Sequence, residues 1–137
     1  MADAKRVLVI DDDPDFCDFV RIVLSANGYL VRTAVSAHEG LALMRTERPD
    51  LVIVDVMMSY VLDGWTVSRE MHFDPQLRDI PVMMVSAVVS SEEDDLLPTG
   101  ENGRVDAFMS KPLDPSALLR RVADLTREAE AGTGGVE

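Results

Sequence analysis

The sequence predicts an α/β fold in which a five-stranded parallel sheet carries helices on both faces. Short aliphatic runs alternate with amphipathic stretches along the chain, and that alternation is typical of a parallel sheet. The 137 residues are 47% hydrophobic and 28% charged, which is the length and composition of one globular domain. We therefore predict a domain over residues 1–129 and a flexible tail over residues 130–137, where glycines are frequent.

Five apolar segments have the length and composition of strands. Two are wholly aliphatic, Val7–Ile10 and Leu51–Val54, and such runs are typical of strands buried on both faces. The predicted strands are Val7–Ile10, Tyr29–Ala34, Leu51–Val54, Val82–Val85 and Val105–Met109.

Capping residues and prolines mark where the helices start and end. Asp13-Pro14 has the order of an N-cap and a first helical residue, and Ser36-Ala-His-Glu39 is a capping-box pattern. Asn27-Gly28 suits the left-handed end of the first helix. The remaining predicted helices are Trp65–Phe73, an irregular fourth one near Ser90–Leu97, and a last one from Asp114-Pro115 to about Glu128.

Charge and composition exclude several classes of protein. The 13 basic and 25 acidic residues give a formal net charge of −12, which argues against binding a nucleic-acid backbone or an anionic membrane surface. The single cysteine, Cys17, excludes an intramolecular disulfide and a multi-cysteine metal site. The first apolar run is too short for a signal peptide, and no run reaches the roughly 20 residues of a spanning helix. We expect a cytoplasmic protein.

Polar side chains follow four of the predicted strands. Asp11 and Asp12 come after the first strand, Asp55 after the third, Ser86 after the fourth, and Lys111 just beyond the fifth. Because the carboxyl ends of parallel strands share one edge of a sheet, these side chains are expected to converge. Converging carboxylates need a hard cation such as Mg²⁺. One aspartate could then act as a nucleophile while a lysine and a hydroxyl hold a phosphoryl group, so the pattern suits phosphoryl transfer to a carboxylate.

Five short segments of the chain have a characteristic order and spacing. They are Val7-Leu-Val-Ile-Asp-Asp-Asp-Pro14, Asp50-Leu-Val-Ile-Val-Asp-Val-Met-Met58, Asp63-Gly64, Ile80-Pro-Val-Met-Met-Val-Ser-Ala87 and Phe108-Met-Ser-Lys-Pro112. The intervals are 44 residues from Asp11 to Asp55, 31 to Ser86 and 25 to Lys111. In these segments and intervals the chain resembles the receiver domain of two-component response regulators over residues 5 to 126. The resemblance implies a flavodoxin-like sheet with strand order 2-1-3-4-5.

The resemblance also implies a role for each site residue. Asp55 would be the phosphoacceptor, assisted by Ser86 and Lys111. The implied Mg²⁺ ligands are Asp11, Asp12, Asp55 and the backbone carbonyl of Met57. Ser86 and Phe108 would form the switch, in which the serine hydroxyl moves toward the phosphoryl group and the aromatic ring turns inward. Pro112 would follow a cis peptide bond.

As a receiver domain, the protein would be a phosphoacceptor and not an enzyme. Its expected partners are a sensor histidine kinase or a phosphotransfer protein, an unidentified downstream protein target and, on activation, a second copy of the chain. No direct contact with nucleic acid or membrane is expected, so the output would be a protein interaction or onward transfer in a phosphorelay.

Two departures from the family pattern keep a second function open. The loop after Asp55 lacks the usual proline and is one residue longer, and the segment from Glu92 to Arg104 is about three residues longer than usual. Both favour a pseudo-receiver, a protein-binding module that works without phosphorylation. A third alternative is a phosphohydrolase of the haloacid dehalogenase type, with Asp11 as nucleophile and Asp13 completing its Asp-x-Asp motif. The complete set of acidic, serine and lysine residues favours the phosphorylated switch.

Overall fold

The computed structural model describes residues 4–55, 63–86 and 106–133. Strands and helices alternate through the first two ranges, and a strand and a long helix make up the third. The elements are β1 (Arg6–Ile10), α1 (Pro14–Ser25), β2 (Leu30–Ala34), α2 (Ala37–Thr46), β3 (Leu51–Asp55), α3 (Asp63–Phe73), β4 (Val82–Ser86), β5 (Ala107–Ser110) and α4 (Pro115–Thr133).

The five strands form one parallel sheet in the order β2-β1-β3-β4-β5, which confirms the predicted fold class. The register brings the carboxyl ends together. Ile10 pairs with Ala34 on one side and with Val54 on the other, and Asp55 pairs with Val85. Asp11 therefore leaves β1 directly beside the end of β3.

Alternate residues of the strands build two separate cores, one on each face of the sheet. On one face, Val9 and Ile53 pack with Cys17 of α1 and Leu118 of α4. On the other face, Leu8 and Val54 pack with Met44 of α2 and Met71 of α3. The helices thus cover both faces, as the alternation of strands and helices predicts.

Two aspartates fix the register where strands begin. The backbone N–H of Asp50 donates to the carbonyl of Arg6 at 2.7 Å, and the Arg6 N–H donates to Asp50 Oδ2 at 2.8 Å. Asp106 makes the same reciprocal pair with Val82, with both distances 2.8 Å. Each pair holds the start of one strand against the start of its neighbour. The carboxyl ends of the paired strands are therefore aligned as well.

The predicted caps of the first two helices are present. Asp13 caps α1 by accepting from the Asp15 N–H at 3.0 Å, and Ser36 caps α2 by accepting from the Glu39 N–H at 3.1 Å. Beyond α1, Gly28 has a φ of 94°, which a residue without a Cβ adopts at little cost. The chain can therefore turn directly into β2.

Some element boundaries differ from the predicted ones. Helix α3 begins at Asp63, two residues before the predicted start, and β5 ends at Ser110. Helix α4 continues to Thr133, past the predicted end near Glu128, because the residues that follow, Ala129-Glu-Ala131, favour a helix. The division of the chain at residue 129 stays a prediction. The helix predicted at Ser90–Leu97 lies outside the described residues.

Within the described ranges, no helix combines the length and the apolar character needed to cross a membrane.

Candidate functional site

Three carboxylates meet where β1 and β3 end. Asp11, Asp12 and Asp55 each have a carboxylate oxygen that lies within 4.8 Å of those of the other two. Asp11 is fully buried and Asp55 is 5% exposed, whereas Asp12 faces solvent. The structure therefore brings together three residues that the sequence placed at two different strand ends.

Lys111 directly follows β5, and its side chain extends across the end of β4 to the carboxylates at the ends of β1 and β3. Its Nζ donates to Asp11 Oδ2 at 2.7 Å and to Asp55 Oδ2 at 3.2 Å. The backbone N–H of Lys111 also donates to the carbonyl of Ser86 at 2.8 Å, and its peptide bond to Pro112 is cis. One ammonium thus bridges two carboxylates that lie 44 residues apart in the chain.

Burial and pairing act in opposite directions on the titrating groups of this cluster. Burial raises the pKa of Asp11 above its ordinary value, although the hydrogen bonds from Lys111 and from the Asp13 N–H act to lower it. Burial also acts to lower the pKa of Lys111, but its bond to Asp11 and the attraction of both carboxylates outweigh burial and raise that pKa. Lys111 therefore remains a cation at neutral pH.

Backbone and thiol groups hold Asp11 in place. Its Oδ1 accepts from the Asp13 N–H at 2.9 Å, and its own N–H donates to the carbonyl of Ala34 at 3.0 Å. The Cys17 thiol donates to the carbonyl of Asp11 at 3.3 Å. The carboxylate of Asp11 is thus oriented by the turn into α1 as well as by Lys111.

Ser86 and Phe108 lie near one another on adjacent strands. Ser86 ends β4, is 2% exposed, and pairs in register with Ser110. Phe108 is half-buried, packs against the core on the α2 and α3 face, and pairs with Met84, two residues before Ser86. Because side chains two apart in a strand share a face, Ser86 and Phe108 belong to the same face of the sheet. Their role as a switch stays a prediction.

The chemistry of the acidic cluster fits a divalent cation. Carboxylate oxygens are the ligands that Mg²⁺ prefers, and three of them can converge here. Three carboxyl groups face one ammonium, so the cluster keeps an excess of negative charge that a cation would offset. Asp11, Asp12 and Asp55 could hold the ion; the fourth ligand implied by the sequence, the carbonyl of Met57, lies outside the described residues.

Two neighbours of the cluster on α1 were missed by sequence reasoning. The ring centroid of Phe16 lies 4.3 Å from Lys111 Nζ, and the Cys17 thiol contacts Asp11 as described above. Both lie at apolar positions of the helical repeat in α1, and such positions indicate only that a residue packs in the core. Their closeness to the predicted helix start, just after Asp11, is the one signal that could have pointed to them.

The parallel sheet with strand order 2-1-3-4-5 and the acidic cluster with Lys111 at its carboxyl edge define the class of doubly wound α/β fold with an acidic site, and the comparisons with known proteins name the family. The response regulator receiver domain family matches residues 7–123. The chain therefore belongs to the response regulator receiver domain family.

Relatives and solved structures extend this result. The chain is 38% identical over 125 residues to RpaA of Synechocystis sp., a DNA-binding dual master transcriptional regulator, covering 91% of this chain and 50% of that protein. It is 34% identical to PhoP of Bacillus subtilis, a transcriptional regulatory protein of alkaline phosphatase synthesis, covering 92% of this chain and 50% of PhoP. A CheY-like receiver domain protein from Methanospirillum hungatei has 29% identity and a TM-score of 0.80, with 94% of this chain and 98% of that chain covered.

These relatives correct one prediction from the sequence. The prediction of no direct nucleic-acid binding is wrong for this group, because RpaA is a DNA-binding regulator. The acidic composition behind that prediction belongs to the receiver domain alone, and net charge there says nothing about the rest of such a regulator. The chain spans about half the length of RpaA and PhoP.

Proposed function

We propose that this receiver domain is a phosphorylated switch in which Asp55 accepts a phosphoryl group from a sensor histidine kinase. The observation that carries the proposal is the contact of Lys111 Nζ with Asp55 Oδ2 at 3.2 Å, inside a cluster of three carboxylates. A carboxylate next to a fixed ammonium and a cation site has the surroundings that phosphoryl transfer requires.

The chemistry of the step is a displacement at phosphorus. A carboxylate oxygen of Asp55 attacks the phosphorus of a phosphohistidine, an O–P bond forms, and the N–P bond breaks as the imidazole leaves. Lys111 offsets negative charge on the phosphoryl oxygens. A Mg²⁺ ion held by Asp11, Asp12 and Asp55 would neutralise the remaining charge when bound. The domain acts on its own aspartate and has no substrate that it turns over.

The consequence of the step is a change of surface. The phosphoryl group adds charge beside Ser86, and we propose that the Ser86 hydroxyl moves to donate to it while Phe108 changes its packing. Such a change biases a two-state equilibrium that an output module or partner can read. RpaA and PhoP are transcriptional regulators, and we extend the proposal to that class of output.

The test is intact mass after incubation with acetyl phosphate, with and without Mg²⁺. The wild type is expected to gain one phosphoryl group only when Mg²⁺ is present, and the D55N variant to gain none. The matched control is D18N, which changes an exposed aspartate of α1 outside the cluster and is expected to behave as wild type. A peptide map should place the added mass on Asp55.

Two other outcomes would overturn the proposal. Absence of an adduct in the wild type, together with no binding of beryllofluoride as a phosphoryl mimic, would identify a pseudo-receiver. Hydrolysis of a generic phosphomonoester that persists in D55N would point to Asp11 as the nucleophile and to a phosphohydrolase.

A further inference from the structure

The first turns of α1 place an aromatic ring against the ammonium of the site. The centroid of the Phe16 ring lies 4.3 Å from Lys111 Nζ, well within the range of a cation–π contact. Phe16 is half-buried and packs against the core shared by α1 and α4, so its ring is held by the fold. The ammonium therefore has a fixed neighbour in addition to the carboxylates.

Two of the three N–H groups of the Lys111 ammonium have carboxylate acceptors, which leaves one for the ring. An ammonium has three N–H groups, and Asp11 and Asp55 accept from it at 2.7 and 3.2 Å. The ring lies close enough to face the remaining N–H. The side chain of Lys111 is 19% exposed, so water screens the contact only in part.

We propose that Phe16 is a positioning residue for Lys111. Its ring holds the ammonium over the gap between Asp11 and Asp55, where a phosphoryl group on Asp55 would meet it. A lysine side chain has four rotatable bonds, and a third point of attachment restricts where its charge can lie. The consequence for the phosphoryl group rests on the proposed function, whereas the ring contact does not.

The sequence makes the ring contact directly measurable. The protein has only two lysines, Lys5 and Lys111, so a sample with ¹³C-labelled lysine gives two sets of side-chain NMR signals. The variant K5R assigns them. The ring current of Phe16 is expected to shift the ε-methylene protons of Lys111 upfield relative to those of Lys5. The variant F16L should remove the shift, and F16Y should keep it.

Phe19 provides the matched control. It lies on the same helix, packs against the same core, and its ring centroid is 6.4 Å from that of Phe16. The variant F19L thus removes an aromatic ring from α1 with a comparable effect on packing, and the Lys111 signals are expected to stay near their wild-type positions. Backbone spectra of each variant establish that the fold is retained.

The functional measurement is the affinity for beryllofluoride in the presence of saturating Mg²⁺. F16L is expected to bind it about three to ten times more weakly, as a partly screened cation–π contact implies. F16Y and F19L should bind as wild type does. Saturating Mg²⁺ in every sample keeps a difference in Mg²⁺ affinity from affecting this comparison.

Each result decides a separate point. An unshifted Lys111 signal in the wild type would overturn the ring contact. A shift that F16L removes without weakening beryllofluoride binding, or equal weakening in F16L and F19L, would overturn the positioning role. No beryllofluoride binding by the wild type would mean that the proposed function fails, and with it the phosphoryl part of this inference, while the NMR shift would still report the contact.

Discussion

At the scale of single residues, Asp11 and Lys111 form a buried ion pair that constrains both side chains. A fully buried carboxylate is costly unless it is paired and hydrogen-bonded. Asp11 is both, because it accepts from Lys111 and from the Asp13 N–H. Removing Lys111 would leave a buried carboxylate without its cation, so the lysine has a structural role beside its proposed catalytic one.

Cys17 is a second residue whose surroundings decide its chemistry. Burial, reinforced by the negative charge of Asp11, raises the pKa of its thiol to about 11 from an ordinary value of 9.0. At pH 8 the native protein then holds about 100-fold less thiolate than the unfolded chain.

We expect the native protein to react with iodoacetamide at pH 8 at least about 100-fold more slowly than the protein in denaturant, because the buried thiol is also less accessible to the reagent. Cys17 is the only cysteine, so mass spectrometry of the alkylated chain reports it alone, and C17S is the blank. Since the unfolded chain loses this proton first, the free energy of unfolding should also fall as the pH rises from about 9 to about 11. A native rate within about threefold of the denatured rate would contradict the expectation.

At the scale of elements, the packing of α2 on β1 depends on one glycine. A Cβ added to Gly40 would lie 2.3 Å from Ile10 Cδ1 and 2.7 Å from its Cγ1. Ile10 is fully buried and directly precedes Asp11, so it has little room to move. Helix α2 therefore approaches the sheet more closely here than a residue with a side chain would allow.

The variant G40A is expected to lower the free energy of unfolding by about 1–3 kcal/mol, as overpacking of a core does. At an exposed helical position the same change would stabilise the helix by up to about 1 kcal/mol. Urea unfolding measures the difference. The double variant I10V/G40A should recover part of the loss, because I10V removes the Cδ1 atom that lies nearest. A G40A protein more stable than wild type would show that α2 does not approach β1 this closely.

At the scale of the whole molecule, the acidic cluster links metal binding to stability. The chain has a formal net charge of −12, and part of that charge is concentrated where Asp11, Asp12 and Asp55 meet. A cation that binds this site in the folded chain, and not in the unfolded one, shifts the folding equilibrium toward the native state.

We expect Mg²⁺ at ten times its Kd to raise the Tm by roughly 4 °C. The variant D12N should lose most of this rise, because it removes one of the three carboxylates that could hold the ion. Asp12 is the exposed member of the cluster, so its replacement leaves the buried pair of Asp11 and Lys111 intact. Scanning calorimetry at matched ionic strength separates binding from screening. The control D18N should respond as wild type does. Equal rises in D12N and wild type would show that Mg²⁺ acts only through the overall charge.

The sequence by itself determined the sheet, its two covered faces and the set of polar residues at one edge. Aliphatic runs such as Leu51–Val54 are typical of strands buried on both faces of a sheet, and residues that follow parallel strands meet at one edge. The capping patterns at Asp13 and Ser36 act locally, so they too could be read from the chain.

Only the tertiary structure decided which atoms meet within that edge. The ring of Phe16 lies against Lys111, 95 residues further along the chain, because α1 and the end of β5 are brought together by the sheet register. In the sequence Phe16 and Cys17 are apolar members of an amphipathic helix, and helical periodicity does not distinguish a core residue from one that holds a site residue. That distinction depends on distances of a few ångströms between elements, and packing alone sets those distances.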